Sequence, residues 1–379
     1  MASFRYLFYD WSSQLLLDSF TLEDAALGWE ISTPGTMTAD VPLLDPTLPA
    51  SRVIPATIPL RTKVFVEREG TLIWGGQLIE PRAYDSTSGK LTLNAQETVG
   101  YFKNRFTPTL ALYGTDQITI AETILAQLQA DTGGYAGLTV AAPGGLSGIL
   151  RDGVYSQWDF TVGLTAITDL TEMESGFEFA TQVVWGSGGM PAETLILAFP
   201  RLGKIAPAGV STVLEYNEFT DGGNVLSYQW PEGPGLFTRT WADATTPDGV
   251  QLDASYDASN LLSTGYPLFE QKVDFSSANP TTLAALQLYA NKQGKIVGQE
   301  LVAASFTCKP DSNLVVGNWS LGDDVLVRIS DYRFPPGPQG QPGFAGYMRI
   351  AQAQLTTDTD GLEQYVFTLD NYWGLVSSD

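Results

Sequence analysis

No histidine occurs among the 379 residues, and there is one cysteine, Cys308. The first absence removes the commonest metal ligand and the side chain most used as a general base near neutral pH. The second excludes an intrachain disulfide framework. Basic residues are few: 20 Lys plus Arg stand against 42 Asp plus Glu, a formal charge of -22. Such a chain has no general electrostatic footprint for gripping phosphates, so stable nucleic-acid binding is disfavoured. Net negative charge instead suits a surface past which DNA slides without adhering. No stretch approaches about 18 consecutive apolar residues, which excludes a helical membrane span. The opening Met1-Ala2-Ser3-Phe4-Arg5 lacks the basic-then-apolar profile of a signal peptide, so synthesis and folding in the cytoplasm are expected.

Apolar residues make up 44% of the chain and charged residues 16%, the balance of a folded protein with a packed core. The length calls for two to four domains. Within it one pattern occurs twice. Val64-Phe65-Val66-Glu67, Leu72 to Ile79 and Lys90 to Asn94 read as three consecutive strands, and Val325 to Arg328, Met348 to Leu355 and Tyr365 to Leu369 repeat them in order and type. Aligning Val64 with Val325 sets Leu60 opposite Leu321, and aligning Gln77-Leu78 with Gln354-Leu355 brings Thr92-Leu93 within one residue of Thr368-Leu369. The Pro/Gly run Pro335 to Gly346 interrupts the second copy, an insertion that a surface loop accommodates at small entropic cost. The chain therefore contains two versions of one β-domain.

In chain order, Phe4 to Tyr9 and Gln14 to Phe20 flank the turn-rich Asp10-Trp11-Ser12-Ser13 and predict a hairpin. Thr36 to Leu43 alternates, and the proline-punctuated Asp45 to Pro59 excludes a central strand. The pattern then changes to helix. Asp116 caps a predicted helix to about Asp131, with Ile118, Ala121, Ile124, Leu125 and Leu128 on one face. A second spans about Phe160 to Glu174, and two strands follow around Gly186 to Pro191. Short strands come next, then a polar stretch, Ala242 to Thr264, expected to make a surface excursion, then a helix from Pro280 ending at Gly294. The expected fold is mainly β with an α+β insertion: two related antiparallel β-barrels plus smaller α+β domains. The predicted partition is 1–105 for the first barrel, 106–205 for the insertion, 206–275 for a connecting β segment and 276–379 for the second barrel.

The residues that could carry chemistry read more simply as structure. Cys308 lies in an alternating strand without a histidine to make its thiolate, so a buried inert thiol is expected. Asp169, Glu172 and Glu174 could be imagined as glycosidase carboxylates, but are expected on the exposed face of a helix. Asp323-Asp324 and Asp358-Thr359-Asp360 offer oxygen ligands without the spacing of a calcium loop, and more economically supply a strand entry and a hairpin turn. Asp323, Asp324, Asp358 and Asp360 remain candidates for an acidic channel or loop. Glycines 337, 340, 343 and 346 echo a collagen register far too briefly for a triple helix and read as a stiff exposed loop. Trp74, between Ile73 and Gly75, reads as core, and no catalytic residue, metal or cofactor is expected. A glycan-binding module of aromatic β-domains is the competing function, with a carboxylate glycosidase third.

The segment Val64 to Gly76, following Asp40-Val41-Pro42-Leu43, resembles the N-terminal signature of the tail hub proteins of tailed bacteriophages, also called baseplate hub, tail-associated hub or minor tail proteins. Size, duplicated β-domain and inserted α+β domain agree over nearly the whole chain. The resemblance implies two barrels like tail tube subunits and a homotrimer with pseudo-sixfold symmetry. Its partners would be a tail tube or distal tail protein hexamer on one side and a central spike or fibre protein on the other. It further implies a virion structural protein whose channel passes the tape measure protein and, in transit only, DNA. An acidic lumen is then expected, and any cell-wall cutting or receptor binding would fall to a separate protein, since the sequence ends soon after the second barrel's last strand and Tyr372-Trp373.

Overall fold

The computed structural model describes residues 3–207, 210, 212–220, 222–231, 235–246, 248–276, 280, 282–298, 303–309, 314–357 and 362–371. The first β module comprises β1 (Phe4–Asp10), β2 (Leu16–Phe20), β3 (Glu23–Glu30), β4 (Thr36–Pro42), the short helix α1 (Ala50–Ala56), β5 (Thr62–Arg68), β6 (Thr71–Asp85) and β7 (Lys90–Glu97). An insertion follows: β8 (Leu110–Asp116), α2 (Gln117–Ala130), β9 (Leu138–Ala141), β10 (Leu150–Tyr155), α3 (Gly163–Glu172), β11 (Glu178–Trp185) and β12 (Pro191–Ala198). Next come β13 (Val213–Asn217), β14 (Val225–Gln229), β15 (Arg239–Thr245), β16 (Gln251–Asp257), α4 (Ser259–Ser263), β17 (Glu270–Asp274) and α5 (Leu283–Val297). The chain closes with β18 (Ala303–Cys308), β19 (Asp324–Ser330), β20 (Phe344–Thr357) and β21 (Glu363–Asp370).

The duplication is a duplication of topology. In the first module the ladder runs β1-β5-β6-β7-β4-β3; in the second it runs β13-β19-β20-β21-β18-β14. The strands enter each ladder in the same chain order. One difference is that β1 meets β5 antiparallel whereas β13 meets β19 in parallel. Val64 lies opposite Gly76 and Val325 opposite Met348, so by pairing Gly76 corresponds to Met348. The sequence match of Gln77-Leu78 to Gln354-Leu355 is thus displaced by five residues, because similar dipeptides on a period-2 pattern do not fix register.

The halves are fused through β3. Its residues Ala26–Glu30 pair antiparallel with Gln352–Thr356 of β20, making one 13-stranded sheet. Beneath it a single core cluster runs through both modules, from Tyr6, Phe8 and Trp74 to Phe306, Ile350 and Phe367. Trp74 is core as expected, 1% exposed, and donates from Nε1 to Gly28 O.

The insertion has its own core, where α2 and α3 pack Ile118, Ile124, Leu128 and Ile167 against Phe177 and Phe179. Asp116 caps α2 as predicted, accepting from Ile118 N at 2.9 Å. The expected 206–275 segment is divided by its hydrogen bonds: β13 and β14 belong to the second module, while β15, β16 and β17 form a separate sheet. Ala242 to Thr264 is not a surface excursion, since Ala242, Ala244 and Ala254 are core residues beneath α5. Small alanines in a polar stretch hid that face, which needs α5 close by.

Gly294 does not end α5 but lies inside it, buried against Tyr256. A Cβ there would stand 2.2 Å from Tyr256 Cδ1. Alanine in a helix interior normally gains about 1 kcal/mol over glycine; here overpacking reverses the sign. Gly294→Ala is expected to destabilise the β15–β17/α5 unit by about 1–3 kcal/mol, read as a lowered urea midpoint. A raised midpoint would refute the packing argument.

Candidate functional site

Alternation in β18, β21, β3, β4, β7 and the Gln352–Thr356 part of β20 sends one set of side chains into the shared core. The other set forms a continuous outer face across both modules. On it stand Ser305 and Thr307; Gln364, Val366 and Thr368; Gln352, Gln354 and Thr356; Ala26, Gly28 and Glu30; Thr36, Thr38 and Asp40; and Thr92, Asn94 and Gln96, all intermediate or exposed. Their neighbours across the ladders are one another: Gln354 lies opposite both Gly28 and Val366, and Thr38 opposite Asn94. Thr38 donates to Asn94 Oδ1 at 3.1 Å, Thr92 to Asp40 Oδ1 at 2.7 Å and Gln352 to Glu30 Oε1 at 2.8 Å.

This face is polar and almost without cations, and its charged members are Glu30 and Asp40. Lys90, at its margin, is held 2.6 Å from Asp24 and 3.3 Å from Glu23. Arg349, earlier in β20, is buried and gripped by Glu178. Hydroxyls and amides without positive charge offer no phosphate a counterion, and without an apolar patch they offer a passing polypeptide no sticky surface.

Asp323 and Asp324, singled out in the sequence, lie elsewhere. Asp323 is buried and accepts from Lys204 N at 2.8 Å and Ser320 N at 3.0 Å. Asp324 accepts from Arg201 Nη2 at 2.6 Å and Ala206 N at 2.8 Å. The two carboxylates thus clamp the segment leaving the insertion onto the entry to β19. Asp324→Ala leaves Arg201 buried beside a lost partner and is expected to cost about 3 kcal/mol, measurable as faster exchange of the Lys204 and Ala206 amides. Unchanged exchange would show that the clamp carries no load. Asp358, Asp360 and Tyr372-Trp373 lie outside the described residues.

Cys308 is fully buried and burial pushes its thiol up to about 12, the inert state expected. Asp169 corrects an expectation: it is half-buried rather than on a solvated face, and burial, then Glu172, raise its carboxyl to about 7. The physical reason is α5, which packs on α3 and brings Tyr289 to a position facing Asp169. Glu172 and Glu174 line a cavity of about 690 Å³ where all parts of the chain meet, together with Glu30, Glu178, Lys292 and Arg349; Asp169 does not line it. Glu174 is tied there to Lys295 at 2.8 Å and to Asn291 at 2.9 Å. The exposed tryptophans Trp158, Trp185 and Trp241 sit on separate elements. Among the described residues no group of three or more acidic, cysteine or histidine ligands converges, and no helix is long and apolar enough to cross a membrane.

The outer face is hard to read from the sequence because its central strand, β3, carries a weak strand signal. Ala25, Leu27 and Trp29 do alternate inward, but Ala-Ala-Leu-Gly has weak β-propensity.

No protein-family model matches the chain, and no curated protein matches it by sequence. Solved structures do. The tail protein from Neisseria meningitidis MC58 superposes with a TM-score of 0.60 at 13% identity, over 97% of this chain and 96% of that one. The 43 kDa tail protein of prophage MuSo2 from Shewanella oneidensis gives 0.54 at 12% identity, over 97% and 96%. A chain of the half-lidded Francisella PdpA–VgrG complex gives 0.53 at 9% identity, covering 98% of this chain and 58% of that one. The fold is that of these phage tail proteins and is shared with a chain of the PdpA–VgrG complex. Within that class the two-module architecture agrees with the tail hub resemblance read from Val64 to Gly76.

Proposed function

We propose that the protein is a structural component of a phage tail: a homotrimeric hub at the distal end that adapts a sixfold tube to a threefold tip. The carrying observation is the polar, cation-poor face that crosses two modules of one topology without interruption. Three chains then present six similar modules, so a hexameric tube or distal tail protein can dock on one side and a threefold spike or fibre on the other. The face lines the channel for the tape measure protein and for DNA in passage. In this reading the chain does no catalysis, and its place is the virion tail tip.

The lumen so defined carries the carboxylates Glu30 and Asp40 and, among the residues named above, no Lys or Arg. Passage is eased by the lack of counterions for phosphate. The test is solution mass by light scattering over a dilution series, followed by imaging of the ring. A species of about 123 kDa, three chains of 41.0 kDa, with a central hole lined by Thr38, Asn94 and Gln354 supports the reading. A ring lined by other residues would overturn the lumen assignment, and a dimer would overturn the hub.

A further inference from the structure

β6 and β20 are the two longest strands, 15 and 14 residues, and both outrun the strand beside them. Pairing between β20 and β19 stops at Arg349; the overhanging Gln352–Thr356 then augments the sheet of the first module along β3. Pairing between β6 and β5 stops at Gln77, and both overlong strands bulge where the overhang begins, at Ile79/Ala83 and Ile350/Gln352. The overhang of β6 pairs with β7 on one side, and among the described residues no strand occupies its other side. At the opposite end of the sheet β14, which holds the place in the second module that β3 holds in the first, pairs with β18 alone. The chain carries one completed joint and the two unmatched halves of a second.

We propose that the β6 overhang, Ala83 to Asp85, adds antiparallel to the free edge of β14 in a second copy of this chain, repeating between chains the β20–β3 joint made within one. The inference rests on the trimeric reading above and names its interface. Side-chain polarity supports it. Ala83 lies opposite Thr92, on the polar face, and Ser227 and Gln229 lie opposite Thr307 and Ser305 on that same face. Joining them continues the polar wall. Tyr84 lies opposite Leu91, on the core side of the sheet, yet is 56% exposed. At the internal joint the core-side residues Ala353 and Leu355 are buried against Leu27 and Trp29. The intermolecular joint gives Tyr84 the equivalent cover, beside Tyr228 of the neighbour. The contact is heterologous, so it forms a ring where the rotation closes after three copies.

The experiment pairs cysteines across the joint, since same-face residues directly opposite bring their Cβ atoms within disulfide reach. Ala83→Cys is combined with Ser227→Cys or with Gln229→Cys, and native Cys308 is buried. Mild oxidation is expected to give covalent ladders up to three chains with at least one combination and none with Ala83→Cys alone. Tyr84→Asp, at an exposed site of the single chain, is expected to weaken trimerisation at least 100-fold while leaving the circular dichroism of the monomer unchanged. If the wild-type protein is trimeric but neither combination cross-links and Tyr84→Asp assembles normally, this interface is wrong and the hub reading stands. If the wild-type protein forms no trimer under any condition, including with tail partners present, both fall.

Discussion

Replacing Lys63 by methionine is expected to destabilise the contact between the first module and the insertion by about 3–5 kcal/mol. Lys63 on β5 and Glu193 on β12 form an ion pair in which each side chain is 1% exposed. Thr98 donates a further hydrogen bond to Glu193 at 2.6 Å, and the Lys63 ammonium lies 5.1 Å from the ring of Trp11. Breaking a buried pair from one side leaves the other charge desolvated and without compensation, which is far costlier than losing a surface bridge. Changing both partners removes that penalty, so Lys63→Met with Glu193→Leu is expected to recover most of the loss. Urea titration followed by hydrogen exchange in β11 and β12 distinguishes the cases. A single variant as stable as the wild type would mean that water reaches Glu193 and that the modules are held by apolar packing alone.

The apolar part of that contact is visible beside the pair. Val183 of β11 covers Leu7, Tyr9, Phe65 and Leu72 on the outer side of the first module, and Trp185 donates to Gly70 O at 2.9 Å. The insertion is thus a built part of the scaffold. It covers the outer side of the sheet at β1, β5 and β6, beside the stretch of that same side where β7, β4, β3, β20, β21 and β18 carry the polar face.

Local signals in the sequence carried far where they were strong. The Val-rich β5, the Asp116 cap and the hairpin around Asp10 are each set by residues within one element, and Asp10 accepts from Ser12 and Ser13 as a turn-forming carboxylate does. The internal repeat disclosed two related modules because it survives as pattern and order. What stayed hidden depends on distant partners. β3 is a strand because both neighbours supply ladders, Asp169 is half-buried because α5 returns more than 110 positions later, and position 294 takes glycine inside a helix because Tyr256 leaves no room for a side chain. The candidate site was the least legible. It is a face assembled from six strands, and no single strand announces it: Thr, Gln and Asn in alternation look like ordinary solvated positions until they line up across both modules.

The largest pH effect should come from Glu97. It is buried at the end of β7, and desolvation raises its carboxyl to about 8, opposed by the Gly35 N–H that donates to Oε2 at 3.0 Å and reinforced by the charge of Glu193. Lys63 neutralises Glu193, so the buried cluster of one ammonium and two carboxyls is least strained when Glu97 keeps its proton. The folded state then holds a proton that the unfolded state releases near the ordinary value of 4.5. Between those two values the native chain binds more protons than the unfolded one, so this group's contribution to stability is full below about pH 4.5 and is lost as pH rises through about 8. The slope is at most about 1.4 kcal/mol per pH unit. Glu97→Gln keeps an acceptor for Gly35 and cannot ionise. It is expected to be indistinguishable from wild type near pH 5 and to gain on it steadily toward pH 8, by up to about 3 kcal/mol between pH 6 and pH 8. Parallel stability profiles for the two proteins would mean that Glu97 is charged in the folded state, and Lys63 would then be shared between both carboxylates rather than committed to Glu193.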